Sequence, residues 1–122
     1  MMHTPLLDQR TIIITGAATG IGQAFAVQCA SQGANVVVAD MNAAAETVAA
    51  VEAAGGKALA VKVDVADQAS VDAMAAAAVA RFGRIDGLIN NAAISTWNGS
   101  VGIDDSALTS NATSLARATG ES

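Results

Sequence analysis

Short β-branched runs alternate with helical stretches through the first 90 residues, and this alternation constrains the fold more than any other feature. Thr11-Ile12-Ile13-Ile14-Thr15 is too short for a helix and apolar throughout, as a strand covered on both faces must be. A glycine-rich turn follows it. Ile21 to Gln32 then reads as a helix with Ile21, Phe25 and Cys29 at four-residue spacing, stopped by Gly33. Asn35 to Ala39 supplies a second strand, ended by Asp40. Ala43 to Ala54 reads as a helix with Asn42 as N-cap, closed by Gly55-Gly56. Ala58 to Val63 is a third strand, ending at Asp64. Asp67 caps a helix through Val71, Met74 and Val79 to Phe82, with Gly83 as its stop, and Ile85 to Asn90 is a fourth strand. Strands that alternate with helices across short connections predict a parallel sheet covered by helices, because parallel neighbours need crossover segments.

The first strand–helix turn reads Thr15-Gly16-Ala17-Ala18-Thr19-Gly20-Ile21-Gly22. Glycines in that context have a physical reason. One allows the tight turn, one lets a pyrophosphate approach the backbone, and one lets helix pack on strand. The helix N-terminus adds unpaired N–H groups and about half a positive charge. Asp40 ends the second strand 18 residues after Gly22, where a carboxylate accepts hydrogen bonds from ribose hydroxyls. A 2′-phosphate would meet it as like charge, at a cost of about 4 kcal/mol for 4 Å and an effective dielectric near 20. Neither Thr19 nor Met41 offers that phosphate a basic partner. These features predict NAD(H) in preference to NADP(H).

The spacing Gly16-x-x-x-Gly20-x-Gly22 resembles the short-chain dehydrogenase/reductase family, and two further segments agree. Asp64-Val65 follows the third strand, where the family sets an Asp-Val pair against adenine. Asn90-Asn91-Ala92-Ala93 follows the fourth strand and is similar to the family's Asn-Asn-Ala-Gly motif, with Ala93 in place of glycine. The resemblance covers Leu7 to about Ile94 and implies a Rossmann-like α/β fold of strand order 3-2-1-4 with helices on both faces. It implies cofactor contacts from Thr15, Gly16, Thr19, Gly20, Ile21, Gly22, Asp40, Met41, Asp64, Val65, Asn91, Ala92 and Ala93. It also implies an oxidoreductase origin, with hydride passing between nicotinamide and a small alcohol or ketone in complete relatives.

Residues 1–94 are thus expected to form the dinucleotide-binding unit, and 95–122 a polar tail holding ten Ser or Thr residues. Asp104-Asp105-Ser106 starts a possible helix over residues 104–119, after which the chain is expected to be truncated relative to the family. On that helix Asn111 matches the asparagine that supports the family's catalytic lysine. The family's catalytic serine and Tyr-x-x-x-Lys pair have no match: there is no tyrosine among the 122 residues, and the only lysines, Lys57 and Lys62, sit around the third strand. A catalytically incomplete, cofactor-binding chain is the expectation. The alternative is an interaction module without a working ligand site.

Composition closes off other classes. Net charge is −5, and the six Lys and Arg are scattered, so nothing gathers to neutralise a nucleic-acid backbone. The lone Cys29 excludes an internal disulfide; among Ala26, Val27 and Ala30 it reads as an inert core thiol. A metal site would lack His and Cys ligands, because His3 is the only histidine and is expected in solvent. Neither a membrane span nor a signal peptide is legible, and a cytoplasmic location is expected. A fourth strand with a bare outer edge would invite self-association. Of the 122 residues 30 are alanine, so helix formation is easy while each buried side chain contributes little.

Overall fold

The computed structural model describes residues 6–91. Its elements run β1 (Thr11–Thr15), α1 (Gly20–Ser31), β2 (Asn35–Asp40), α2 (Ala45–Ala53), β3 (Lys57–Lys62), α3 (Gln68–Phe82) and β4 (Gly87–Asn90). The strands form one parallel sheet in the order β3-β2-β1-β4. Ile12 to Thr15 of β1 lie opposite Val36 to Ala39 of β2 and Gly87 to Asn90 of β4. All four strands therefore finish at one edge, where the glycine turn, Asp40, Asp64 and Asn91 lie.

Both faces of the sheet are covered, which is why β1 is buried along its whole length. Ile12, Ile14, Val36 and Val38 pack under α1 and α2 with Ala26, Ala30 and Val51. Ile13, Val37 and Ala39 face the other way, onto Val71, Met74 and Ala78 of α3. Asp67 caps α3 as expected, its side chain accepting the Ala69 N–H, and Gly83 ends that helix at φ 80°.

Two local expectations are corrected. Ile21, Phe25 and Cys29 are not the packed face of α1: Ile21 is 66% and Phe25 42% exposed, and Cys29 is half-buried at the margin of the core. The buried stripe is Gly22, Ala26 and Ala30, because small side chains let the helix axis lie close to the sheet. Burial still pushes the Cys29 thiol up from its ordinary value. Secondly, Asn42 does not cap α2. Its N–H donates to Asp40 Oδ1 at 2.9 Å, so the chain turns around that carboxylate and the helix begins only at Ala45, after Ala44. Helix α3 runs through Val71, Met74 and Val79 to Phe82 as expected, and its buried residues are Val71, Met74, Ala75 and Ala78. The third strand starts one residue earlier than its apolar run, at Lys57, and the fourth is shorter, starting at Gly87.

Candidate functional site

Between β1 and α1 the N–H and C=O groups of Ala17 and Ala18 are all bonded within the chain. Ala17 N–H donates to Ala39 O at 3.1 Å, and Ala18 N–H to Asp40 Oδ2 at 2.9 Å. Thr47 of α2, fully buried, donates its hydroxyl to Ala17 O at 2.8 Å and reaches Ala18 O at 3.1 Å. Gln23 Nε2 in turn donates to Thr47 Oγ1 at 3.1 Å. From the next residue on, the pattern changes. Thr19 is the N-cap of α1, in extended conformation, yet its hydroxyl makes no cap bond. Among the described residues the N–H groups of Thr19, Gly20, Ile21 and Gly22 meet no acceptor, and Gln23 N–H donates to Thr19 O as the first bond of the helix.

The two later glycines of the turn do different jobs. Gly20 has φ +61°, and a Cβ built there would meet nothing within 4 Å, so the turn opens on free space. A Cβ on Gly22 would lie 2.0 Å from Gly16 O and 2.8 Å from Asn91 Nδ2, so this position closes the helix onto the turn. Asn91 is buried and donates Nδ2 to Gly16 O at 3.1 Å, tying the end of β4 to the start of the turn. Thr15 is buried too, its hydroxyl donating to Asn90 Oδ1 at 2.8 Å; it supports the turn from beneath.

Asp40 is half-buried, with one backbone N–H on each carboxylate oxygen. A carboxylate oxygen has room for about two hydrogen bonds, so each retains a lone pair for a ligand. Asp64 holds a similar turn, accepting Ala66 N–H on Oδ1 at 3.0 Å while its own N–H donates to Ser70 Oγ at 2.9 Å. Val65 packs partly buried beside the α3 core. Ile21 and Met41 stand 66% and 58% exposed at the lip of this edge, unusual for large apolar side chains.

The structure thus brings Gly16, Thr19, Gly20, Ile21, Gly22, Asp40 and Asn91 together at the ends of β1, β2 and β4. Ala92, Ala93 and Asn111 lie outside the described residues, as do His3, Trp97 and the expected helix over 104–119. Sequence reasoning missed Thr47 and Gln23; the available signal was a lone hydroxyl in the alanine-rich helix after Asp40. It also missed Lys62. Paired in register with Asp40, Lys62 helps line a hollow of about 320 Å³ with Met41, Asn42, Ala43 and Ala60.

A dinucleotide fits these residues on two observations. Four consecutive N–H groups lie without a protein acceptor at the start of a helix, and the turn that carries them opens on free space. No helix among the described residues is long and apolar enough to cross a membrane.

The short chain dehydrogenase family profile matches residues 10–114. Sorbitol dehydrogenase of Cereibacter sphaeroides is 48% identical over 88 residues, which cover 72% of this chain and 34% of that protein. Galactitol 2-dehydrogenase of Agrobacterium fabrum is 49% identical over 88 residues, with the same coverage of both. The chain therefore spans about a third of the length of these relatives. Among solved structures, a short-chain dehydrogenase/reductase from Serratia marcescens superposes with a TM-score of 0.80 at 31% identity, covering 96% of this chain and 53% of its own. Hydroxysteroid dehydrogenase from Escherichia coli gives 0.79 at 28% identity, covering 92% and 53%. With strand order, glycine turn and sequence match in agreement, the chain belongs to the short chain dehydrogenase family, whose members bind nicotinamide dinucleotides.

Proposed function

We propose that this chain binds NAD(H) across the ends of β1, β2 and β4, in preference to NADP(H), and that residues 1–94 are its cofactor-binding unit. The observation that carries this reading is Asp40, fixed by two backbone N–H groups beside the glycine turn with an acceptor to spare on each oxygen. Thr19, Gly20 and Ile21 present N–H groups to the pyrophosphate. Met41, Asp64 and Val65 flank the adenosine end, with Asn91 beneath. Ala92 and Ala93 continue the same segment.

Bound nicotinamide supplies hydride chemistry between alcohol and ketone carbons in complete members of the family. Within these 122 residues the acid that such a reduction needs has no counterpart. A positioned acid contributes roughly 10²–10⁴-fold to such a reduction, and the 122 residues contain no tyrosine to serve as one. Asn111 is the one residue we assign to the proton-relay side, as a support and not as an acid. The chain is therefore expected to hold NADH without oxidising it. NADH absorbance should stay constant against a panel of small ketones; turnover that Gly16→Val abolishes would contradict this.

Cofactor choice is the sharper test. A bare carboxylate would disfavour a 2′-phosphate roughly a thousandfold, and Lys62 beside the 41–44 loop offsets part of that. Calorimetric titration should show NADH binding at least about tenfold more tightly than NADPH. Asp40→Asn, which removes the charge and keeps an acceptor for one of the two backbone N–H groups, should bring the two within about threefold. Equal affinities in the unmodified chain would sink the assignment.

Two features of this reading concern the chain's surroundings. Among the described residues β4 pairs only with β1, and its free edge is expected to recruit a second copy of the chain; a monomer by light scattering at tens of micromolar would count against that. The lone, half-buried Cys29 suits the reducing cytoplasm, where we place the chain; a tagged chain found outside that compartment would overturn the placement.

A further inference from the structure

We propose that Thr47, with Gln23 behind it, is a positioning residue for the dinucleotide. Its hydroxyl fixes the two peptide units that decide which backbone N–H groups face the pyrophosphate. The inference rests on the cofactor reading above and goes beyond it, because Thr47 lies on α2 and is not among the residues expected to touch the cofactor.

The argument follows from peptide planarity. The C=O and N–H of a trans peptide unit point in opposite directions. In the Ala17–Ala18 unit the carbonyl is held by Thr47 Oγ1 at 2.8 Å and the N–H by Asp40 Oδ2 at 2.9 Å. That plane is pinned at both ends, from α2 on one side and from the end of β2 on the other. In the next unit Ala18 O also meets Thr47 Oγ1, at 3.1 Å, so the Thr19 N–H of the same plane is turned away from α2. After the two anchored N–H groups of Ala17 and Ala18, Thr19 N–H is the next along the chain and has no acceptor among the described residues, and Gly20, Ile21 and Gly22 continue the series. Thr47 therefore sits where the satisfied backbone ends and the available backbone begins.

The hydroxyl is suited to this as few groups are. It has one proton, shared between two carbonyls, and its lone pairs accept the Gln23 amide at 3.1 Å. All three bonds lie beside a fully buried side chain, where water cannot substitute for any of them. Gln23 sits one residue past Gly22 on α1, so the bond from its amide also ties the first turn of α1 to α2. Without the hydroxyl, the Ala17 and Ala18 carbonyls would be left to find other donors, and the planes that follow them would be free to rotate.

The test uses the 122-residue chain as Thr47→Val, which keeps the shape and removes the donor, and Thr47→Ser, which keeps the donor. NADH, ADP and adenosine are titrated by calorimetry into each. Thr47→Val should weaken NADH and ADP by about fivefold to tenfold, the worth of about one to one and a half lost hydrogen bonds. Thr47→Ser should stay within about twofold of the unmodified chain. Adenosine, which has no phosphate, should bind all three alike. A purely structural role would weaken adenosine together with ADP, and that result overturns the proposal, as does NADH binding to Thr47→Val as tightly as to the unmodified chain. Should Thr47→Val fail to fold, Gln23→Leu carries the test, with a loss of about twofold to threefold for NADH and unchanged binding as the contradiction. Failure of the unmodified chain to bind NADH would instead overturn the cofactor reading, and this inference with it.

Discussion

Asp40 and Asp86 stand at opposite ends of the sheet, and each carboxylate accepts a backbone N–H from a neighbouring segment, Ala18 for Asp40 and Thr11 for Asp86. Asp86 lies just before β4, its side chain 18% exposed, and accepts the Thr11 N–H at 2.8 Å. Arg84 donates to both its oxygens, at 2.8 and 2.7 Å, and Arg10 reaches one of them at 3.4 Å. The Arg84 hydrogen bond holds the Asp86 carboxyl below the usual carboxylate range, against the opposing effect of partial burial and with help from Thr11 N–H and Arg10. A carboxyl depressed in the folded state adds stability above its unfolded value and loses it as pH falls through the folded one. Asp86→Asn should therefore lower the urea midpoint at pH 7, and the gap to the unmodified chain should close as pH drops below about 4. A gap that persists at pH 2 would mean that packing, not charge, is what Asp86 contributes. Residues of this kind were not legible in advance. Arg10 and Asp86 are far apart in sequence, and nothing in their spacing announces that a parallel sheet will bring them together. Asp40 was legible, because its place at the end of a strand after a glycine turn is itself the signal. Its second duty, pinning Ala18 N–H, depends on how the loop lies.

At the level of elements, α1 shows where periodicity misleads. Ile21, Phe25 and Cys29 share a four-residue spacing, but so do Gly22, Ala26 and Ala30, and hydrophobicity alone favours the larger set. Closeness decides for the smaller one: the helix must start within a turn of β1, and only a residue without a Cβ passes Gly16 O. Gly22→Ala should therefore cost about 2–3 kcal/mol, since the atoms it strikes include backbone that has no room to yield. Gly20→Ala should cost about 1 kcal/mol, the strain of a left-handed conformation in open space. Urea unfolding of the two variants checks the order; equal losses would mean that the contact of Gly22 with Gly16 and Asn91 is not what closes the helix on the sheet. Helix α3 was read as it stands, because Asp67 and Gly83 bracket it with signals that need no tertiary information. The start of α2 was misread for the opposite reason. Asn42 is a good cap in isolation, but Asp40 claims its N–H first.

Across the whole molecule, the common edge at which the strands end follows from the alternation of strands and helices, which demands a parallel sheet, while the strand order 3-2-1-4 came from the resemblance of the glycine turn, Asp64-Val65 and Asn90-Asn91 to the family. Together, the alternation and the resemblance were enough to bring the glycine turn, Asp40 and Asn91 to one edge. They could not reveal the layer beneath, in which Thr47, Gln23, Thr15 and Asn90 hold the turn through bonds between elements. The central claim is that this edge of the sheet, and not the Arg10–Arg84–Asp86 end, receives a nicotinamide dinucleotide. Amide proton–nitrogen NMR spectra of the labelled chain, recorded through a titration with NAD, test it most directly. The account predicts saturable shifts at Thr19, Gly20, Ile21 and Gly22, with smaller ones at Met41, Asp64 and Val65, and none at Arg84 or Asp86. A folded chain whose spectrum does not change, or whose shifts gather around Asp86, would contradict it.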